Sequence, residues 1–274
     1  VHSPHDGRRH GRSIRNGYRG VTRGLALDLG SSCTRAWIPG LGIVTDAEFT
    51  GDPEGGSGRG RPVRRGRIVD PESCGRMLSR IADTALGADR SETLIVLSHP
   101  VLAGPEHRAE VRELLAALGP TRIIVLDSAR AAAAYAGPQD GGPLLVVDIG
   151  AELTEVTLLV DGTVRDARQA ETGLSDLGSA EPPTAVVRIA LDMIMEMWRQ
   201  DRHGAVLGAL RKGPLLAGGG ALRPDITNRI AVRLGVPVRL ADDPATTVVR
   251  GAGLILGSAL RHAGAAPALP GPVR

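Results

Sequence analysis

Two stretches of this chain have residues whose type and spacing suit chemistry on a phosphate. Leu25–Thr34 runs from an apolar strand into Asp28, Gly30 and Thr34. Leu145–Thr154 repeats the pattern 120 positions later with Asp148, Gly150 and Thr154. A strand that ends in Asp-x-Gly and folds back presents consecutive backbone N–H groups to phosphate oxygens. Glycine there removes the Cβ that would block close approach and permits positive φ. In the first copy Ser31, Ser32 and Thr34 add hydroxyl donors, and Cys33 sits among them. A carboxylate beside such a turn suits Mg²⁺, held through water. Two such turns facing each other would clamp a polyphosphate between two domains, with Asp28 and Asp148 flanking the metal. One Asp-x-Gly turn says little, since turns favour these residues anyway; two in matching frames say more. Gly218-Gly219-Gly220 before a helical pattern adds a third piece, because close backbone approach and a helix N-terminus suit a nucleotide.

The elements that must position these turns read as alternating strands and helices. Gly24–Leu29, Thr34–Ile38 and Leu41–Val44 form a meander of short strands. Residues 46–66, rich in Gly, Pro and Arg, read as a loop. Asp70-Pro71 starts a helix, Asp as cap and Pro at the first helical position. Cys74, Met77, Leu78, Ile81 and Ala85 mark one face of it. A strand over Thr93–Ser98, a helix over Pro105–Leu118, a strand over Arg122–Leu126 and an Ala-rich helix over Ala129–Ala136 imply parallel pairing covered by helices. The second half restarts with strands at Leu144–Ile149, Thr154–Val160 and Val164–Gln169. A long, broadly apolar helix over Pro182–Gln200 follows, then a strand at Pro214–Ala217, a helix over Ala221–Leu234, a strand at Val236–Leu240 and a last helix, roughly Ala245–Arg261. Ser98-His99, adjacent in sequence, reads as a loop after a strand.

Composition narrows the classes. The 274 residues suit two modest domains, and 42% apolar residues are ordinary for a globular chain. Aromatics at 2% leave little for base-stacking platforms. Cys33 and Cys74 are the only cysteines, so no disulfide framework is indicated and a reducing compartment fits. The formal net charge is +3, yet residues 1–23 alone hold six arginines against Asp6, so the remainder is slightly acidic. That basic, almost apolar-free arm reads as disordered. It lacks the apolar run of a signal peptide, and no stretch suits a membrane span. Its functional reading is an arm for an anionic surface, its plain reading a solvated leader. The cluster Arg59–Arg67 has the same two readings, anionic lipid or a solvated loop.

The ordered motifs resemble the actin-like ATPase superfamily, and within it the MreB-type bacterial cell-shape proteins. Asp28–Thr34 resembles the first phosphate loop, Asp148–Glu155 the second, and Leu216–Leu222 the adenosine loop. Pro62–Asp70 and Val236–Pro244 are also similar. The resemblance covers residues 24–262. It implies an α/β actin-like ATPase fold of two pseudo-symmetric domains, each with a mixed sheet flanked by helices. The first would span 24–140 with a return helix 246–262, the second 141–245, between tails 1–23 and 263–274. It implies ATP and Mg²⁺ in the cleft, with Asp28, Gly30, Ser31, Ser32, Cys33, Thr34, Asp148, Gly150, Thr154, Gly218, Gly219 and Gly220 as binding residues. It further implies self-association or contact with cytoskeletal and cell-wall assembly proteins. The place would be the cytoplasm, at the inner face of the membrane through the basic tail, with no nucleic-acid partner.

The chain departs from that pattern at three points. Ala151 and Glu152 stand where the family's second loop has glycines; Ala resists positive φ, and a carboxylate facing polyphosphate is repulsive unless it points to solvent. Ser128 occupies the position of the acid that orients the attacking water, and Asp127 next door points about 100° away. The loop 46–66 and the span 175–212 are short where the family has insertion subdomains. The expectation is therefore an MreB-like scaffold for cell shape and cell-wall growth, binding ATP-Mg with weak or no hydrolysis. The alternatives are an active ATPase of the superfamily, or a nucleotide-free binding module related to chaperone or pilus-assembly actin-like proteins.

Overall fold

The computed structural model describes residues 23–45, 61–138, 141–178 and 182–264. The basic arm up to residue 22 with its anionic-surface reading, residues 46–60 of the loop and the tail from 265 lie outside the described residues. Continuous apolar runs, buried on both faces, build the central strands of two five-stranded sheets of matching order. The first comprises β1 (Arg23–Leu29), β2 (Thr34–Ile38), β3 (Gly42–Thr45), β6 (Thr93–His99) and β7 (Arg122–Asp127), in the order β3-β2-β1-β6-β7. The second comprises β8 (Pro143–Ile149), β9 (Thr154–Val160), β10 (Thr163–Ala170), β11 (Leu215–Ala217) and β12 (Arg239–Leu240), in the order β10-β9-β8-β11-β12. In each, the meander pairs antiparallel and the later strands pair parallel. This is the actin-like arrangement of mixed, helix-flanked sheets. A two-stranded hairpin, β4 (Val63–Arg64) and β5 (Arg67–Ile68), stands apart from both.

Side chains alternate across each strand, so each sheet feeds two cores. Leu25 and Leu27 face α1 (Pro71–Leu86) and α2 (Pro105–Ala116), while Ala26 faces inward. Leu145, Val147 and Ile149 face α4 (Thr184–Gln200), α5 (Ala205–Lys212) and α6 (Pro224–Leu234), while Leu144 and Val146 face inward. The inward faces share one core with α3 (Ser128–Ala136) and α7 (Thr247–Gly264), which therefore joins the sheets. Small residues make that joint close. A Cβ on Gly251 of α7 would collide with the Ala131 carbonyl of α3, so alanines and a glycine bring two helix backbones together.

Several expectations need correction. The hairpin replaces the end of the expected loop 46–66: too short to show a period, it is set by the turn at Arg65 (φ 48°) and Gly66 (φ 72°). Ser98 and His99 lie within β6 and are buried, because the strand runs on past its apolar residues. The helix expected from Ala221 begins at Pro224, after a 3-10 turn over Gly219–Leu222. Helix α5 went unread because eight residues carry barely two turns of pattern. Arg23 belongs to β1, where its guanidinium holds the Leu86 and Asp89 carbonyls, and α7 runs to Gly264. Asp70 caps α1 as expected, accepting the Ser73 N–H at 2.9 Å. Among the described residues no helix is long and apolar enough to cross a membrane.

Candidate nucleotide cleft

The C-terminal ends of β1 and β8 open into one cleft between the sheets, where ligands of such α/β sheets bind. Its floor encloses a cavity of about 160 Å³ lined by Asp28, Gly30, Ser31, Ser32, Ser128, Asp148, Gly150, Gly218 and Gly219 among others. Nine of the expected site residues therefore come together. Cys33, Thr34, Thr154 and Gly220 do not line the cavity. Thr34 and Thr154 begin β2 and β9 and are buried, and the Thr154 hydroxyl donates to the Thr172 carbonyl at 2.8 Å. Gly220 packs on Ile149, with no room for a Cβ.

The turns are glycine-dependent for closeness rather than handedness. Neither Gly30 nor Gly150 has positive φ. A Cβ on Gly30 would lie 2.6 Å from the Cys33 carbonyl oxygen, and one on Gly150 3.0 Å from that of Leu153. Ala151 is likewise not left-handed, so the expected backbone conflict at this substitution does not arise. The second turn is buttressed: Leu174 and Ser175 donate their N–H groups to the Gly150 and Ala151 carbonyls at 3.0 and 2.7 Å. Gly218 is the position that needs positive φ (80°), and a Cβ there would collide with the Asp148 carboxylate.

Glu152 departs from both readings made of it. It neither faces solvent nor sits free to repel phosphate. It accepts the Arg65 N–H at 3.0 Å and pairs with the Arg64 guanidinium at 3.1 Å. Arg64 and Arg65 are thus partnered, although the Arg64 side chain stays exposed.

The cleft is short of positive charge. Asp28 is pushed above the usual carboxylate range by burial, opposed by Arg35 and by the Ser98 hydroxyl, which donates to it at 3.2 Å. Burial and then the Asp28 charge push Asp148 up to about 7. Asp28 faces Arg35 across β1–β2, whereas the equivalent partner of Asp148 across β8–β9 is Glu155. Glu155 is buried, pushed up to about 8 by burial and then by Asp148, and lines the same cavity. Its oxygens accept the Val101 N–H at 2.8 Å and the Ser128 hydroxyl at 3.2 Å. It stands last in the Asp148–Glu155 motif but is not among the expected binding residues. Its place seven residues after Asp148, matching Arg35 after Asp28, was the available signal. His99 also lines the cavity. Its Nδ1–H donates to the Pro100 carbonyl at 2.7 Å, and burial lowers its pKa.

This carboxylate set fits a divalent cation. Two half-buried aspartates lining one cleft suit one, because a cation offsets the carboxylate charge that desolvation, and at Asp148 also the Asp28 charge, disfavours. Among the described residues no three His, Cys, Asp or Glu side chains gather as a metal cluster. A cation held by Asp28 and Asp148 must take the rest of its shell from water and phosphate, as Mg²⁺ does.

Comparison with known proteins agrees with this geometry. The family model described as Actin matches residues 43–177. The cell shape-determining protein MreB of Escherichia coli K12 is 24% identical over 337 aligned positions, covering 90% of this chain and 97% of that protein; its Salmonella typhimurium counterpart gives the same figures. Among solved structures, MreB5 of Spiroplasma citri superposes with a TM-score of 0.73 when bound to AMPPNP, at 17% identity and 88% and 98% coverage. Bound to ADP it gives 0.71, at 16% identity and 87% and 97% coverage. The ethanolamine utilization protein EutJ of Carboxydothermus hydrogenoformans gives 0.54 at 16% identity, covering 84% of this chain and 88% of that one. With matching sheets, two facing Asp-x-Gly turns in one cleft and these likenesses, the chain has the actin-like fold and is similar to the MreB-type proteins.

Proposed function

We propose that this protein is an MreB-like cytoskeletal or scaffold element for cell shape and cell-wall assembly, self-associating, with a cleft that takes ATP-Mg and hydrolyses it weakly or not at all. The observation that carries this reading is the facing of Asp28 and Asp148 across a cleft in which, among the described lining residues, Arg35 is the one Lys or Arg. In this reading the protein is cytoplasmic, and its partners are further copies of itself and cell-wall assembly proteins. The sheet-centred halves act as two domains, residues 24–140 with 246–262 and residues 141–245. Mg²⁺, when bound, neutralises phosphate charge; Asp28 and Asp148 hold its water shell, the backbone of the two turns orients the phosphates, and Gly218 and Gly219 give room for the nucleoside. Ser128 cannot act as a carboxylate base, which supports weak or absent hydrolysis. Sedimentation and electron microscopy of the purified protein, with and without ATP-Mg²⁺, test the scaffold reading: concentration-dependent assembly is expected, and a strict monomer under every condition contradicts it.

A further inference from the structure

The β4–β5 hairpin projects from the first half of the molecule onto the second. Beyond the two contacts to Glu152, Arg65 Nη2 pairs with Asp176 Oδ1 at 2.7 Å and Nη1 donates to the Glu171 carbonyl. Arg67 meets the Glu171 carboxylate at 3.0 Å. Three arginines from one half thus engage three carboxylates from the other. The Arg65 guanidinium holds Asp176 below the usual carboxylate range.

Three further observations point the same way. Arg65 has φ 48°, at a turn position that favours Asn, Asp or Gly. Strain at a non-glycine residue persists where the surroundings hold it, here through contacts across the cleft. The hairpin tip is wedged. A Cβ on Gly66 would lie 2.8 Å from Pro100 Cγ of the first half and 2.9 Å from Leu153 Cδ2 of the second. The cavity of about 160 Å³ lies directly behind it. The hairpin tip stands at the mouth of that space, with Gly66 and Glu152 among its lining residues.

We propose that the tip Arg64-Arg65-Gly66-Arg67 is an electrostatic clasp that holds the cleft closed without any ligand, with Glu152 as its principal acceptor. The clasp stands whether or not the cleft takes a nucleotide. Exposed ion pairs contribute little singly and are screened by salt, so Arg67–Glu171 is the weakest part. Glu152 is different. Its side chain is 14% exposed and takes both a backbone N–H and a guanidinium, the charge-assisted geometry that gives strong hydrogen bonds. The residue that departs from a glycine-rich loop thereby replaces closure around a ligand with closure by fixed charges.

Hydrogen exchange of the full-length, ligand-free protein tests this. Segments 62–69 and 149–154 are expected to be protected at low salt. They should exchange about tenfold faster in Glu152→Gly, the change expected when a partly buried pair is lost. Arg65→Glu should open the cleft equally, and Arg65→Glu with Asp176→Arg should restore part of the protection. Amides of β1 and β6 report that the variants are folded. Wild-type protection of both segments in folded Glu152→Gly overturns the clasp. If Glu152→Gly does not fold, the charge-swapped pair decides: recovery relative to Arg65→Glu supports the clasp, and no recovery overturns it.

Discussion

Glu155 and Ser128 meet at the floor of the cleft: the Ser128 hydroxyl donates to Glu155 Oε2 at 3.2 Å, while the Val101 N–H donates to Oε1 at 2.8 Å. Ser128 and Val101 belong to the first half, Glu155 to a strand of the second. One buried acid therefore ties the halves together at the floor.

This contact makes a pH-dependent stability. Burial and the nearby Asp148 raise Glu155 from about 4.5 to about 8 in the folded protein. The folded state therefore holds a proton that the unfolded state releases between those values, and stability falls as pH rises through that window. Glu155→Gln keeps an acceptor for Val101 and a polar partner for Ser128 but never ionises. Urea titrations should show the two proteins alike near pH 5. Above pH 8 Glu155→Gln should be more stable, by on the order of a few kcal/mol at ~1.4 kcal/mol per pKa unit. A constant difference at both pH values contradicts the assignment.

Gly218→Ala combines a disfavoured φ with a collision at Asp148. The expected cost is about 1–3 kcal/mol of stability, from strain and overpacking, together with loss of ATP-Mg²⁺ binding. Gly235→Ala supplies the control: its φ of 67° is also left-handed, but a Cβ there meets nothing within 4 Å. It should lose stability and keep binding.

Asp70→Ala removes the cap of α1 and should cost ~1 kcal/mol in urea unfolding. Helix α1 packs on the outer face of the first sheet. Binding in the cleft should therefore be unchanged, which separates a loss of stability from a loss of site.

Much of the fold was legible because Leu25–Leu29 and Leu145–Ile149 carry the same apolar run into Asp-x-Gly, and because Asp70-Pro71 announces a helix chemically. The parts that escaped are those set by tertiary contact. The β4–β5 strands are two residues each and exist through Gly66 wedged against Pro100 and Leu153. Glu152 read as a defect because its partners, Arg64 and Arg65, lie almost ninety positions away in sequence. Glu155 read as a strand residue because its burial, not its type, makes it part of the site. Thr34, expected as a hydroxyl donor, and Thr154, expected from the resemblance, are both turned into the interior by strand pairing.

Calorimetric titration of the purified protein with ATP-Mg²⁺, alongside Asp28→Ala and Asp148→Ala, tests the central claim most directly. Micromolar binding that disappears in both variants is the predicted result. No heat and no thermal stabilisation at millimolar ATP-Mg²⁺, with the wild-type protein folded, contradicts a nucleotide cleft between Asp28 and Asp148.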